Sequence, residues 1–288
     1  MFPGSPVDRY RSLVLRGGKN DQHNPFIKDE LVRQLHKDMG AANSNGRMVN
    51  LFINGNYKGY YNLCERIDEE FLQEWYGGSK DDWDVISQSG CRDGDKAAWK
   101  ALFNYIRYHD LSDDANYQEV GKQLDIVSFI DYLILELYSG NKDWPRNNWI
   151  VGRQRSDDGK FRFYMWDAES TMMYSQLYEV DLKFSGFQEG QGFNSKESPI
   201  GRLYLSLKSN DDFRRLFANR IQEHFYNDGA LTNANITDRF LELRSEMSGV
   251  LPDMDMFILD TFVLERRDVM LNAFTQEGLF DISGSPSG

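Results

Sequence analysis

Tyr138-Ser-Gly-Asn-Lys-Asp-Trp-Pro-Arg-Asn-Asn-Trp149, followed by a hairpin ending at Trp166-Asp167-Ala168-Glu169, is the stretch that decides how this chain is read. Its loop holds Asp143 and Asn148 in a D-x-x-x-x-N spacing. Asn148 to Gln154 reads as a strand. Ser156-Asp157-Asp158-Gly159 reads as a turn, because Asp-Gly tolerates the positive φ of tight hairpins. Lys160 to Trp166 alternates polar with apolar or aromatic residues, as a return strand should. With Asp158-Gly159 as a two-residue loop, Asp157 faces Lys160 and Asp167 lands opposite Ile150, two residues from Asn148. Asp143 precedes Asn148 by one short loop, so three oxygen-bearing side chains converge by pairing alone. Glu169 shares the face of Asp167 if the strand continues.

The surroundings of that stretch supply a scaffold. The chain has 288 residues, 40% of them hydrophobic and 14% aromatic, enough for a packed core in one large domain or two lobes. A net charge of −12 opposes binding to phosphate backbones, so nucleic acid is excluded as a partner; a metal cation, a basic protein or a metal-bound nucleotide suits the surface better. Cys64 and Cys91 lack zinc-like spacing and read as ordinary thiols, with a single disulfide left open. No apolar run is long enough to span a membrane, and Met1-Phe-Pro-Gly4 is not a signal peptide. A strand-like Arg11–Arg16 starts almost at once, which predicts a piece of something longer. Residues 281–288, rich in Ser, Gly and Pro, read as a linker or tail.

Leu13-Val-Leu15 is a predicted strand, followed by the loop Arg16-Gly17-Gly18-Lys19-Asn20-Asp21. Two glycines there are a plain turn more readily than a phosphate cradle. A helix runs from Pro25 to Met39, with Ile27, Leu31, Leu35 and Met39 on one face. Lys28 and Glu30 lie near its first turn, and Glu30 reads as solvated surface. Arg47–Ile53 and Asn56–Leu63 form a hairpin around Asn54-Gly55, among the strongest short hairpin signals. The second strand runs into Glu65. Further helices are expected over 69–76, 96–108, 126–138, 200–208, 213–225, 236–247 (capped by Asn235) and 256–274, with a strand at Trp83–Ile86. Residues 126–138 are apolar at helical spacing, with Asp125 as N-cap and Gly140 as terminator; this helix should be buried and should deliver the Asn141–Asn148 loop to the core's edge. Residues 170–199 are irregular, a lid or a covering loop. His224 reads as packed or surface histidine.

No HExxH, Walker A, GxSxG or Cys/His nucleophile pair is present. Carboxylates remain. Asp167 with Asn148 suits a hard divalent cation such as Mg²⁺, which binds oxygen ligands together with substrate phosphates. Asp143 is then placed to accept a proton from an attacking hydroxyl. A catalytic-loop Asp, an Asn five residues on and a hairpin returning a metal Asp is the protein-kinase division of labour, in the kinase order. Turn and capping chemistry accounts for the same Asp and Asn residues about equally well when nothing else is considered.

Asn50-Leu-Phe-Ile-Asn-Gly-Asn-Tyr-Lys-Gly-Tyr-Tyr-Asn-Leu-Cys-Glu-Arg-Ile-Asp68 resembles the NGxYxGxYxLxExID hallmark of the CotH family, atypical protein kinases first associated with spore coats. Ser12–Asp21, Asn141–Trp149, Trp166–Glu169, Glu197-Ser-Pro-Ile-Gly-Arg-Leu203 and Phe225–Leu231 extend the likeness over most of the chain. The resemblance implies an α+β, divergent kinase-like bilobal fold: a small β-rich N-terminal lobe over 1–68 and a larger, mostly helical lobe over 69–280. It implies ATP, Mg²⁺ or Mn²⁺, and transfer of the γ-phosphoryl group to protein Ser/Thr. Asp143 becomes the candidate base, Asn148 and Asp167 the candidate metal ligands, with Glu169 and Asn141 supporting. The Glu65 segment would line the adenine site. The family's setting also implies an extracytoplasmic home: secreted, surface or spore coat.

One departure stands against this pattern. The resemblance places phosphate-binding basic residues before the Leu13 strand, where this chain has almost none. Arg16, Lys19 or Lys28 is left to substitute, and the N-terminal lobe is expected to be incomplete. Two alternatives therefore stand beside the kinase. One is a catalytically inactive kinase-like binding module of a longer secreted or surface protein. The other is a glycosidase carboxylate pair, which nothing in the spacing positions.

Overall fold

The computed structural model describes residues 2–281 apart from 3–4, 8–9, 11, 20, 22–24, 189–192 and 252–253. Residues 282–288 of the tail expected over 281–288, together with Arg11 and Asn20, lie outside the described residues.

The chain opens with β1 (Leu13–Arg16), α1 (Lys28–Asp38), β2 (Gly46–Ile53) and β3 (Asn56–Glu65). The three strands form one antiparallel sheet in the order β1-β3-β2. Ile53 pairs with Asn56, so Asn54-Gly55 is the two-residue turn, with both residues at positive φ as that turn requires. α2 (Glu69–Tyr76), β4 (Trp83–Ser87), β5 (Gly90–Asp93), α3 (Ala97–Tyr108), α4 (Asp114–Gln123) and α5 (Ile126–Ser139) follow. Next come β6 (Trp149–Gln154) and β7 (Arg162–Met165), which join β4 and β5 in a second sheet ordered β5-β4-β6-β7. α6 (Pro199–Leu207), α7 (Asp211–Phe225), α8 (Asn233–Met247) and α9 (Val263–Gln276) complete an α+β, two-lobed fold. No helix among the described residues is long and apolar enough to cross a membrane.

The organising element is α5. Every residue from Phe129 to Ser139 is buried, because its apolar side chains continue around the whole helix rather than along one stripe. Asp125 caps its start by accepting from the Ser128 amide, and Gly140 ends it in the left-handed conformation at φ 64°. Arg266 of α9 reaches through the core to the carbonyls of Leu137 and Tyr138, groups that no helical partner can satisfy at a C-terminus. The same guanidinium holds the Gln176 and Leu177 carbonyls. α5, α9 and the segment after β7 are thereby tied at the point where the Asn141–Asn148 loop leaves the core.

Several expectations need correction. Trp149 pairs with Met165 and Ile150 with Tyr164, so Asp167 does not face Ile150; it continues past the strand end beside Asn148. Phe161 is drawn out of the hairpin by hydrogen bonds to Gln123 and Asp125, which lengthens the turn. Gly159 is needed there for close approach, since a Cβ would meet the Gln154 carbonyl oxygen at 1.9 Å. Glu30 is not solvated surface: it is buried against Arg33 and Asn62. α8 is capped by Thr232 rather than Asn235. α9 begins at Val263 after a wider turn over Ile258–Phe262. α4 and β5 went unread because their apolar residues are few. Cys64 and Cys91 are both free thiols.

Candidate active site

The loop after α5 is pinned to the segment after β7. The Lys142 amide donates to the Ser170 carbonyl at 3.1 Å, and the Met172 amide to the Ser139 carbonyl at 2.8 Å. Asn148 is buried and donates from Nδ2 to the Asp167 carbonyl at 2.9 Å, leaving its Oδ1 as an oxygen donor. Asn148 and Asp167 both sit at positive φ, 63° and 59°. Non-glycine residues hold that conformation at a cost, and such residues concentrate at functional sites. Asp143 is exposed in the same loop. Its amide donates to Asn141 Oδ1 at 3.3 Å, and its carbonyl accepts from the Asn147 amide at 2.8 Å.

Arg16, at the end of β1, is the cation that completes this grouping. Its Nε lies 3.0 Å from Asp29, and Nη2 reaches Glu169 at 2.8 Å and also Asp167. Its guanidinium lies over the Trp166 ring, 5.1 Å from the centroid. Asp29 lies in the first turn of α1 and accepts the Ala168 amide at 2.8 Å. Strand, helix and post-hairpin segment are thus held by one acidic-basic knot. Burial pulls the Arg16 pKa down, but Asp29, Asp167 and Glu169 outweigh it and raise it. Burial pushes Asp29 up, and Arg16, Arg33 and the Ala168 amide together hold it below the usual carboxylate range. Asp167 is raised, chiefly by burial, with Arg16 pulling the other way.

The other sequence candidates lie elsewhere. Lys28 is buried against Asp21, its amide at 2.9 Å and its ammonium at 3.4 Å, and burial lifts the Asp21 carboxyl to about 6. Lys19 is exposed. Glu65 is buried and accepts from Ser5 at 2.6 Å and from the Asn45 amide at 2.8 Å, so its carboxylate ties loops to β3; no hydrogen bond links it to the Arg16 knot among the described contacts. Glu169 joins the knot; Asn141 instead accepts the Asp143 amide within the loop. His224 is buried against Asp131 and Arg220, a packed histidine. Asp29 was missed outright. Its signal was the i, i+4 spacing to Arg33, a polar pair on the first turns of an otherwise amphipathic helix.

The donor set fits a hard cation: Asp167 offers carboxylate oxygen and Asn148 amide oxygen, both of the type Mg²⁺ or Mn²⁺ takes. Among the described residues no group of three or more His, Cys, Asp or Glu is disposed to hold a metal. A site of one carboxylate and one amide, completed by phosphate oxygens, falls outside such a grouping. On the other side of the loop lies a hollow of about 480 Å³, lined by Asn141, Lys142, Trp144 and residues after β7 such as Ser175 and Phe184. Its size is that of ligand-binding clefts.

Comparison with known protein families matches residues 1–255 to the family described as CotH kinase protein. No curated protein matches the chain.

Proposed function

The chain belongs to the CotH family, and on that premise we propose that it transfers the γ-phosphoryl group of ATP to a serine or threonine hydroxyl of a protein. The observation that carries the reading is the Arg16–Asp29 pair, closed onto Asp167 and Glu169. Protein kinases need a strand cation paired with a helix carboxylate beside the metal-binding Asp. Arg16 on β1 and Asp29 on α1 form such a pair, which supports Arg16 as the phosphate-binding cation.

The roles follow from placement. Arg16 holds nucleotide phosphate oxygens. Asn148 Oδ1 and Asp167 would hold the divalent ion, which supplies charge neutralisation on the phosphates when bound. Asp143, exposed at the loop tip, takes the proton of the acceptor hydroxyl as its oxygen bonds to phosphorus and the bond to ADP breaks. The hollow beside Lys142 and Trp144 lies open to an acceptor segment. The lobes would divide near 68, with the cleft between them. An extracytoplasmic setting accords with the family's association with spore coats.

A second reading rests on the same knot. Arg16 already neutralises three carboxylates, as it would in an inactive kinase-like binding module. Phosphoryl transfer from γ-labelled ATP to a basic test protein separates the two. Wild-type transfer that disappears in Asp143→Ala and in Asp167→Ala, with melting temperatures retained, supports the kinase. Absence of both transfer and any thermal shift with millimolar ATP and Mn²⁺ supports the module, since ligand at ~100 times Kd should stabilise by about 2.7 kcal/mol.

A further inference from the structure

α5 is apolar on every side yet carries a carboxylate, Glu136, in its last turn, only 1% exposed. Neither of its carboxyl oxygens has a geometrically complete hydrogen bond, nor does Asn141 Nδ2 directly after the helix. These groups complement each other, acceptor and donor, and the Glu136 carbonyl also receives the Gly140 amide at 3.0 Å and the Asn141 amide at 3.4 Å. The other amide atom of Asn141, Oδ1, receives the Asp143 amide. One turn earlier on α5, the Tyr132 hydroxyl receives Trp144 Nε1 at 2.8 Å. The two residues flanking this pattern, Asn141 and Trp144, bracket Asp143. Both also line the 480 Å³ hollow.

We propose that Glu136 is a positioning residue: through Asn141 it fixes the backbone of Asp143, while Tyr132 fixes the other side of the loop through Trp144. The proposal rests on the catalytic role given to Asp143 above. Burial lifts the Glu136 carboxyl to about 8, with Asn141 and then Tyr132 drawing it partway back, which marks those two as its interacting partners. Near neutral pH it is mostly the neutral acid, so no buried charge is left unpaired, and under the proposal its carbonyl oxygen is the acceptor for the Asn141 N–H. A leucine would fill the same space without desolvating a carboxyl; the carboxyl is explained by the loop it holds.

The test compares Glu136→Gln, which keeps a carbonyl acceptor, with Glu136→Leu, which does not. Amide hydrogen exchange in the full chain reads the loop, and steady-state kinetics reads the reaction. In Glu136→Leu, exchange at Asp143 should quicken about tenfold while exchange at the centre of α5 is unchanged. The kcat should fall roughly 100-fold with the KM for ATP unmoved, as a misplaced catalytic group predicts. Glu136→Gln should restore both. Unaltered exchange and kcat in Glu136→Leu, or equal losses in both variants, overturns the proposal. Should Glu136→Leu not fold, Tyr132→Phe decides: it should quicken exchange over 144–148, and no change there refutes the bracket. A wild type without phosphoryl transfer would sink the kinase reading, yet the exchange measurement would still decide this one.

Discussion

Replacing Arg16 with methionine removes the guanidinium while keeping an apolar stem of similar length. The loss can be worked from the contacts. Arg16, Asp29 and Glu169 have side chains only 10% exposed, whereas Asp167 is 40% exposed. Removing one partner of a buried ion pair costs about 3–5 kcal/mol, because the remaining charge stays desolvated. Asp29 keeps Arg33 and the Ala168 amide, and Asp167 can turn to water, so the lower end applies, about 3 kcal/mol. At roughly 2–4 °C per kcal/mol for chains of this order, the melting temperature should drop by about 6–12 °C. The loss of a charge-assisted phosphate contact should weaken ATP by about 10–100-fold. With the Arg16 charge gone from beside Asp29, Asp167 and Glu169, this acidic group should meanwhile attract cations more strongly, so Mn²⁺ should stabilise the variant more than the wild type. Scanning fluorimetry with and without Mn²⁺, beside calorimetric titration of ATP, measures all three. An unchanged melting temperature would deny the knot; a lowered one with unchanged ATP affinity would leave Arg16 structural and refute its phosphate role.

Three further outcomes follow from the same geometry. Asp143→Asn should lower kcat by about 100-fold or more without altering thermal stability, since its exposed side chain supports only the proton transfer; equal kcat in a radiolabel assay would exclude it as base. Mn²⁺ affinity should fall with acidification, at a higher pH than an ordinary aspartate would give because burial raises Asp167, and Asp167→Asn should abolish this dependence in a titration read by Mn²⁺ relaxation. Glu136 keeps its proton to about pH 8 when folded, against 4.5 for an ordinary glutamate. The folded state binds more protons across that window, so stability should fall as pH rises through it and level off above it, by a loss on the order of 4 kcal/mol. Urea unfolding at pH 5 and pH 8 should show that loss shrink in Glu136→Gln; an equal slope would contradict it.

How much of this could be read from residues alone varies with the range of the interaction. The Asn54-Gly55 hairpin and the α5 helix with its Asp125 and Gly140 ends were legible because turn chemistry and capping are local. The meeting of Asn148 with Asp167 was legible in outcome and wrong in register: the turn was lengthened by Phe161 bonding to the chain before α5, a contact no local pattern contains. Arg16 was visible as one of three candidate cations. What selects it over Lys28 is the partner each finds, Asp29 with Asp167 for one and Asp21 for the other, and those pairings are set by packing. Glu30 was misread because its helix position is polar by pattern, while the β-sheet that covers it brings Asn62 to meet it. Glu136 stood in plain view as a charge within an apolar helix, a departure that burial statistics single out.

The central claim is that Asn148 and Asp167 hold a divalent ion against nucleotide phosphates gripped by Arg16. Anomalous scattering from a crystal soaked with Mn²⁺ and a non-hydrolysable ATP analogue tests it most directly. The account predicts a metal peak about 2.0–2.2 Å from Asn148 Oδ1 and an Asp167 carboxylate oxygen, with phosphate density within hydrogen-bonding reach of Arg16. A peak bound elsewhere, or nucleotide seated away from Arg16, would contradict it.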